Sequence, residues 1–281
     1  MTTAGARLRA AIDAERPLQV VGAINAYAAK LAERASFRAL YLSGAGVANH
    51  SLGLPDLGII QLGDVLADAR RITAATPLPL LVDIDTGWGH AFTIDRAVRE
   101  LERAGAAAVQ IEDQAGAKRC GHRPGKELVE PAEMVDRVRA AVAARNELLV
   151  VARTDAATVD DTIERGLAYA QAGADIVFAE ALTSLEDYAR VTREVRVPVL
   201  ANSTEFGVTP LFTLDELRDA GVAIVLYPLS AARAAARASE RVYTAIRSNG
   251  TQAGVIREMQ TRDELYDVLD YLRFEHMLDE L

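Results

Sequence analysis

The chain has 281 residues, half of them hydrophobic and a quarter charged, with 31 basic against 40 acidic side chains and a formal charge of -9. Such a chain buries a large core without staples, so disorder and a coiled coil are excluded, and the acidic balance argues against nucleic acid or an anionic membrane as a partner. The lone Cys120 rules out an internal disulfide and a multi-cysteine zinc site, and suits a reducing cytosol.

The opening MTTAGARLRAAIDAERP lacks the apolar stretch of a signal peptide, and no apolar run approaches the roughly 18 residues of a membrane span. A cytoplasmic location is expected. In chain order, eight short apolar runs follow: VVGAI (20–24), ALYL (39–42), PLLVDID (79–85), AAVQIED (107–113), LLVVART (148–154), DIVFAE (175–180), VPVLAN (197–202) and AIVLYP (223–228). They are nearly continuous rather than alternating, as in parallel strands buried on both faces. The segments between them, such as TIDRAVRELERAG, carry apolar residues at three and four spacing and read as amphipathic helices. Three helices end at Ala-Gly just before a strand, where Gly105, Gly173 and Gly221 fit left-handed caps. Eight such units predict one (β/α)8 barrel domain over 1–281. No G-x-G-x-x-G follows the first strand, and the text from about 250 to 281 is helical only, a tail that must pack on the barrel or on a neighbouring subunit.

Polar residues gather at the ends of these strands: Ser43 and Gly44, Asp83 and Asp85, Glu112 and Asp113, Arg153 with Asp155, Glu180, Asn202 with Thr204, and Tyr227 followed by Arg233. In a (β/α)8 barrel the C-terminal strand ends build the active site. Asp83 and Asp85, two apart on one strand, point to one side and with Glu112 form a hard oxygen cluster suited to magnesium or manganese. The competing reading makes them interior residues paired with Arg153. The long connection 114–131, QAGAKRCGHRPGKELVEP, has the length of a lid, with Gly116, Gly121 and Gly125 as hinges. There Lys118, Arg119, His122 and Arg123 surround Cys120 and prepare its thiol to exchange a proton, unless it is an ordinary exposed cysteine. No lysine stands at a strand end for a Schiff base, and the loops NSTEFG and YPLSAA lack a glycine-rich phosphate grip. What remains is a metal, arginines and a thiol acid, a set for an anionic polycarboxylate.

KRCGHRP at 118–124 resembles the signature loop of the isocitrate lyase and phosphoenolpyruvate mutase superfamily. SLGLPDLG (51–58), LLVDIDTGWG (80–89), ARTDA (152–156), TEFGVTPLFTLDELR (204–218), LYPLSAAR (226–233) and MQTRDELYD (259–267) are similar to its 2-methylisocitrate lyase branch. The resemblance implies a (β/α)8 barrel with its eighth helix exchanged between subunits of a tetramer, and magnesium-dependent cleavage of 2-methylisocitrate to pyruvate and succinate in the methylcitrate route of propionate breakdown. It implies metal binding by Asp83 and Asp85, with Glu112 acting through water. Substrate contacts fall on Ser43, Gly44, Ala45, Cys120, Gly121, Arg153, Glu180, Asn202, Ser203, Thr204, Arg233 and Arg262, and a pocket for the substrate methyl on Phe178 and Leu226. The chain departs from the pattern at Ala45, where relatives often carry glycine, and at Ala179, where they carry proline. For the cleavage, Tyr41 and Glu112 through water are the candidate bases. Arg153, Arg233, His122 and the lid amides would stabilise developing charge, and Cys120 would protonate the succinate carbon. Alternatives are a phosphonate mutase or α-keto acid decarboxylase on the same barrel, and a dicarboxylate-binding protein without turnover.

Overall fold

A computed structural model describes residues 2–116 and 118–281. Eight parallel strands, β1 (Leu18–Gly22), β2 (Ala39–Leu42), β3 (Leu80–Asp83), β4 (Ala108–Glu112), β5 (Leu149–Thr154), β6 (Ile176–Ala179), β7 (Val199–Asn202) and β8 (Ile224–Tyr227), pair in sequence order and close with β8 on β1. This is the expected (β/α)8 barrel. The first strand lies two residues earlier than its apolar run suggests. Leu18 N donates to Ala223 O, the residue just ahead of β8, whereas Asn25 accepts from Ala28 N and turns the chain into helix Ala26–Arg34.

Strand parity organises the molecule. Successive side chains point to opposite faces of a strand. Leu149, Val151 and Arg153 therefore point inward while Val150 and Ala152 pack outward against helices. Residues of the inward parity form one apolar cluster, including Leu18, Ala39, Leu81, Leu149, Ile176 and Ile224, and Leu8, Ala11 and Ile12 of helix Ala4–Ala14 join it. That helix caps the end of the barrel where the strands begin. Gly105, Gly173 and Gly221 take φ of +88°, +105° and +82° at the helix ends predicted for them.

The chain forms two compact units, Met1–Ser230 and Ala231–Leu281. The second consists of helix Ser230–Asn249 beyond its first residue, a short turn of helix over Ala253–Glu258, and helices Arg262–Leu269 and Tyr271–Asp279, which meet at Asp270 with φ of +54°. Tyr266 stacks on Tyr271 at 4.1 Å between ring centroids. Among the described residues, no helix is long and apolar enough to cross a membrane.

Candidate active site

Because the inward parity continues to the strand ends, the last inward positions are polar. Asp83 closes β3, Glu112 closes β4, Arg153 sits next to last in β5, and Asn202 closes β7. Asp85 and Glu180 lie just past their strands. Asp85 is not on the strand face expected for it: its φ of +49° marks a left-handed turn, stabilised where its own N–H donates to Asp83 Oδ1 at 3.0 Å. The two carboxylates nevertheless converge, on Gly44. Its N–H donates to Asp83 Oδ2 at 3.0 Å, and a Cβ there would stand 2.9 Å from Asp85 Oδ1 and 3.1 Å from Asp83 Oδ2, so only glycine lets the backbone approach this closely. Ser43 accepts from Gly46 N and starts the tight turn that presents Gly44 and half-buried Ala45.

Arg153 is the hub. Its Nη1 is 3.2 Å from Glu112 Oε2, while Nε and Nη2 donate to the two oxygens of Asp155 at 2.9 and 3.0 Å. Glu180 Oε2 is 3.9 Å from Nε, and the guanidinium lies over the Phe178 ring at 5.3 Å from its centroid. Burial opposes the charge on Arg153, but Asp155, Glu112 and Glu180 outweigh it and hold the group firmly protonated. Asp155 is pulled the other way: burial raises its pKa, yet Arg153 and Lys126 bring it below the usual carboxylate range. Glu180 is likewise lowered, with Arg153 and the His122 hydrogen bond overcoming burial.

Glu112 differs. It is fully buried, and desolvation pushes its pKa well up despite Arg153 and Lys118. Its Oε1 and Asp85 Oδ2 have no hydrogen-bond partner among the described residues. Asp85 is pushed up to about 6, by burial first and then by Asp83. Tyr41 donates its hydroxyl to Gln110 Oε1 at 2.6 Å, and burial, then Asp83, raise its pKa well above the ordinary phenol value. That environment keeps the phenol protonated and its hydroxyl committed to Gln110.

The lid 114–131 is pinned over this cluster. Its base is a short antiparallel bridge, Gln114 to Leu128, with Ala115 N donating to Glu127 O and Val129 N to Asp113 O. Gln114 holds Arg119 at both backbone groups, 2.8 Å each. Lys118 is buried between Asp56 and Asp85, with Nζ 2.5 and 2.7 Å from their Oδ1 atoms. Gly121 is pressed against Arg153 and Glu180, where a Cβ would come within 2.4 Å of Arg153 Nη2 and 2.7 Å of Glu180 Oε1. His122 reaches from the lid to two other elements. Val208 N–H donates to Nδ1 at 3.1 Å, which assigns the ring proton to Nε2, 2.8 Å from Glu180 Oε1. Through Nε2, His122 thus ties the lid to the Glu180 carboxylate. Asn202 Nδ2 completes the group, 3.3 Å from both Glu180 oxygens.

Of the four cations expected to surround Cys120, two are therefore committed elsewhere, Lys118 to Asp56 and Asp85 and His122 to Glu180. Cys120 itself is exposed. The lid does bring a lysine to the end of β3, but Asp85, Glu112, Asp83 and Asp56 outweigh the burial that would neutralise Lys118 and raise its pKa, so it is an ammonium and no nucleophile. Phe178 and Leu226 are buried in the inward apolar layer with Tyr41, one beneath Arg153 and the other in register with Asn202. Ser203 and Thr204 are buried just past β7. Arg233, in helix Ser230–Asn249, and Arg262, which opens helix Arg262–Leu269, belong to the second unit.

Asp56 and Lys126 touch the cluster without having been singled out in the sequence, whereas Asp155 was read only as a strand-end acid and Lys118 only as a neighbour of Cys120. The only signal for the lysines was their crowding: two of the chain's three fall within nine residues.

A closed parallel barrel with this charged mouth and pinned lid is an enzyme site of the (β/α)8 class. The sequence pattern of the phosphoenolpyruvate phosphomutase family matches residues 8–247, and the chain belongs to that family. Within it, the 2-methylisocitrate lyase of Salmonella typhimurium strain LT2 is 58% identical over 283 residues, covering 99% of this chain and 96% of that enzyme. Among solved structures, 2,3-dimethylmalate lyase superposes with a TM-score of 0.89 at 35% identity, over 97% of this chain and 94% of that one. Phosphonopyruvate hydrolase in complex with oxalate and Mg++ superposes at 0.84 with 29% identity, over 98% and 97%.

Proposed function

We propose that the chain is a carbon–carbon lyase that cleaves 2-methylisocitrate to pyruvate and succinate, using magnesium, with manganese as a substitute. The observation that carries this reading is the lid pressing Gly121, next to Cys120, onto Arg153 and Glu180 beside the buried acids Asp83, Asp85 and Glu112. The likeness to 2-methylisocitrate lyases over nearly the whole chain supports it. The phosphonate and keto-acid enzymes of the same barrel are more distant, at 29% for phosphonopyruvate hydrolase, and give the alternative reading less support.

The donor set fits a divalent ion. Among the described residues, buried oxygens of Asp85 and Glu112 lack hydrogen-bond partners, and the cation seated on Asp85 is the Lys118 ammonium. Among the described residues no three His, Cys, Asp or Glu side chains form a cage. Magnesium needs none, since it commonly takes one or two carboxylates and fills its shell with waters and substrate oxygens. Asp83 and Asp85 would hold it, with Glu112 reaching it through water. When bound, the ion would stabilise negative charge on the substrate's oxygens.

The chain's own groups do the rest. Glu112, raised by burial, accepts the hydroxyl proton through water. The C–C bond then breaks, its electron pair staying on the succinate carbon while the hydroxyl carbon becomes the pyruvate carbonyl. Arg153, with N–H groups left over from Asp155 and Glu112, and the lid N–H groups stabilise the departing dianion. The Cys120 thiol gives its proton to the carbon. Ser43, Gly44, Ala45, Gly121, Asn202, Ser203 and Thr204 would bind the carboxylates, and Phe178 and Leu226 would line the methyl site. His122, with Nε2 on Glu180 Oε1, orients that carboxylate and would add to the stabilisation of the developing charge.

We place the enzyme in the cytosol as a tetramer exchanging C-terminal helices. Helices Arg262–Leu269 and Tyr271–Asp279 bury none of their residues, and Leu272, Phe274 and Leu278 are exposed, which supports a further partner for them. The reading as a whole is tested by pyruvate release from a panel of hydroxy-tricarboxylates with and without magnesium. Release from 2-methylisocitrate that needs the metal is expected; none, or release unaffected by chelation, would refute it.

A further inference from the structure

The ion pair between Lys126 and Asp155 joins the lid to the hub of the site, and no role described so far uses it. Lys126 stands on the returning arm of the lid, two residues before the Leu128 bridge, and its Nζ is 3.0 Å from Asp155 Oδ1. The same oxygen accepts from Arg153 Nη2 at 3.0 Å, and its partner oxygen from Arg153 Nε at 2.9 Å. Asp155 is fully buried, whereas Lys126 keeps 19% of its side chain exposed. The aspartate cannot shift to follow the lid. Its N–H donates to Asp113 Oδ1 at 3.0 Å, and Asp113 Oδ2 accepts from Tyr169 at 2.8 Å and Arg165 at 3.3 Å. Arg165 also donates to Val129 O at 3.0 Å, so the foot of the returning arm and the Asp155 anchor rest on the same arginine. A fixed buried carboxylate thus grips Arg153 on one side and a lysine of the lid on the other.

We propose that Lys126 is a positioning residue: by pairing with Asp155 it holds the returning arm closed and sets the Cys120–Gly121 segment against Arg153. The role rests on the lyase reading above. Lys118 and His122 pin the outgoing arm to Asp85 and Glu180, and without Lys126 no described side chain of the returning arm reaches an acid of the barrel. Charge-assisted hydrogen bonds are the strong ones, and one partner here is fully desolvated. Because Arg153 still satisfies Asp155 twice when Lys126 is removed, the fold should survive the change.

The test uses the full chain. Lys126→Met is expected to lower kcat for pyruvate release about tenfold with KM changed less than about threefold, since an open lid misplaces the proton donor more than it weakens ground-state binding. Lys126→Arg, which keeps the charge and the reach, is expected to restore most of the loss. In parallel, tryptic cleavage after exposed Arg119, followed by intact mass, is expected to run about tenfold faster in Lys126→Met than in the native chain when succinate, pyruvate and magnesium are present. Native kcat with native cleavage rate in Lys126→Met overturns the proposal. So does a kcat loss that Lys126→Arg fails to restore while the cleavage rate stays native. If the native chain releases no pyruvate from 2-methylisocitrate, the substrate reading fails, and the Arg119 cleavage rates still decide the pin.

Discussion

The two ends of the barrel are built on the same strands by opposite means. Where the strands begin, the inward positions are Leu18, Ala39, Leu81, Leu149, Ile176 and Ile224, closed by Leu8, Ala11 and Ile12, and stability there comes from apolar burial. Where they end, the same parity delivers Asp83, Glu112, Arg153 and Asn202, with Asp85 and Glu180 just beyond. Burying such charges is costly unless each finds a partner, and among the described residues the mouth meets that requirement incompletely, with oxygens of Asp85 and Glu112 left without a hydrogen bond. One end is optimised for folding and the other is held in readiness for a ligand. Variants at the mouth should therefore lose turnover and keep the fold, and variants at the opposite end the reverse.

The largest effect is expected at Asp85. Asp85→Ala should reduce kcat by about a thousandfold or more, beyond rescue by ordinary magnesium or manganese concentrations, because the ion's contribution is several kcal/mol. Its thermal midpoint should stay near the native value, since Lys118 keeps Asp56. Pyruvate release and calorimetry check both halves, and full activity after exhaustive chelation would remove the metal from the account.

Cys120→Ser comes next. Cys120 is exposed on the lid and carries no packing burden, so the variant should fold and bind succinate while cleavage falls by about a hundredfold or more, the worth of a positioned general acid. Near-native cleavage would make the thiol a bystander and favour the decarboxylase alternative.

Smaller still is the methyl preference. Phe178 and Leu226 belong to the apolar layer where the two ends meet, and one methyl in an apolar pocket is worth about 10- to 200-fold. The native ratio of kcat/KM for 2-methylisocitrate over isocitrate should fall in that range, and Phe178→Trp with Leu226→Thr should cut it mainly by harming the methylated substrate. A native ratio at or below one refutes the pocket.

The opposite end supplies the last test. Glu102, at the end of helix Ala91–Arg103, accepts from the backbone N–H groups of Asn146 at 2.9 Å, Glu147 at 2.7 Å and Leu148 at 2.8 Å. Burial pushes its carboxyl up, but these donors outweigh it and bring it below the ordinary 4.5. A lowered carboxylate contributes stability above its unfolded pKa and loses it as pH falls through the folded value. Glu102→Ala should thus cost about 1–3 kcal/mol at neutral pH with kcat unchanged, and denaturant titrations should show the gap closing below about pH 4.5.

Much of this division is written in the chain. Eight apolar runs, five of them closing on an acid, an amide or an arginine, state both the barrel and the pole at which its chemistry lies, because strand parity is local. The Gly105, Gly173 and Gly221 caps were legible for the same reason. The Lys118 grip on Asp56 and Asp85 was not, nor were the Lys126 pair with Asp155, the left-handed turn at Asp85, and the tautomer of His122. The lysine pairs and the His122 contacts join residues from different βα units, and no spacing within one segment encodes which lysine of a basic loop meets which acid; the turn at Asp85 is local, but strand periodicity does not announce where a strand gives way to a left-handed residue. The sequence by itself determined the kinds of groups at the mouth and the strand that carries each. Only the tertiary structure decided which charges neutralise one another and which buried oxygens stay free for a ligand, because those pairings depend on closing the ring and folding the lid across it.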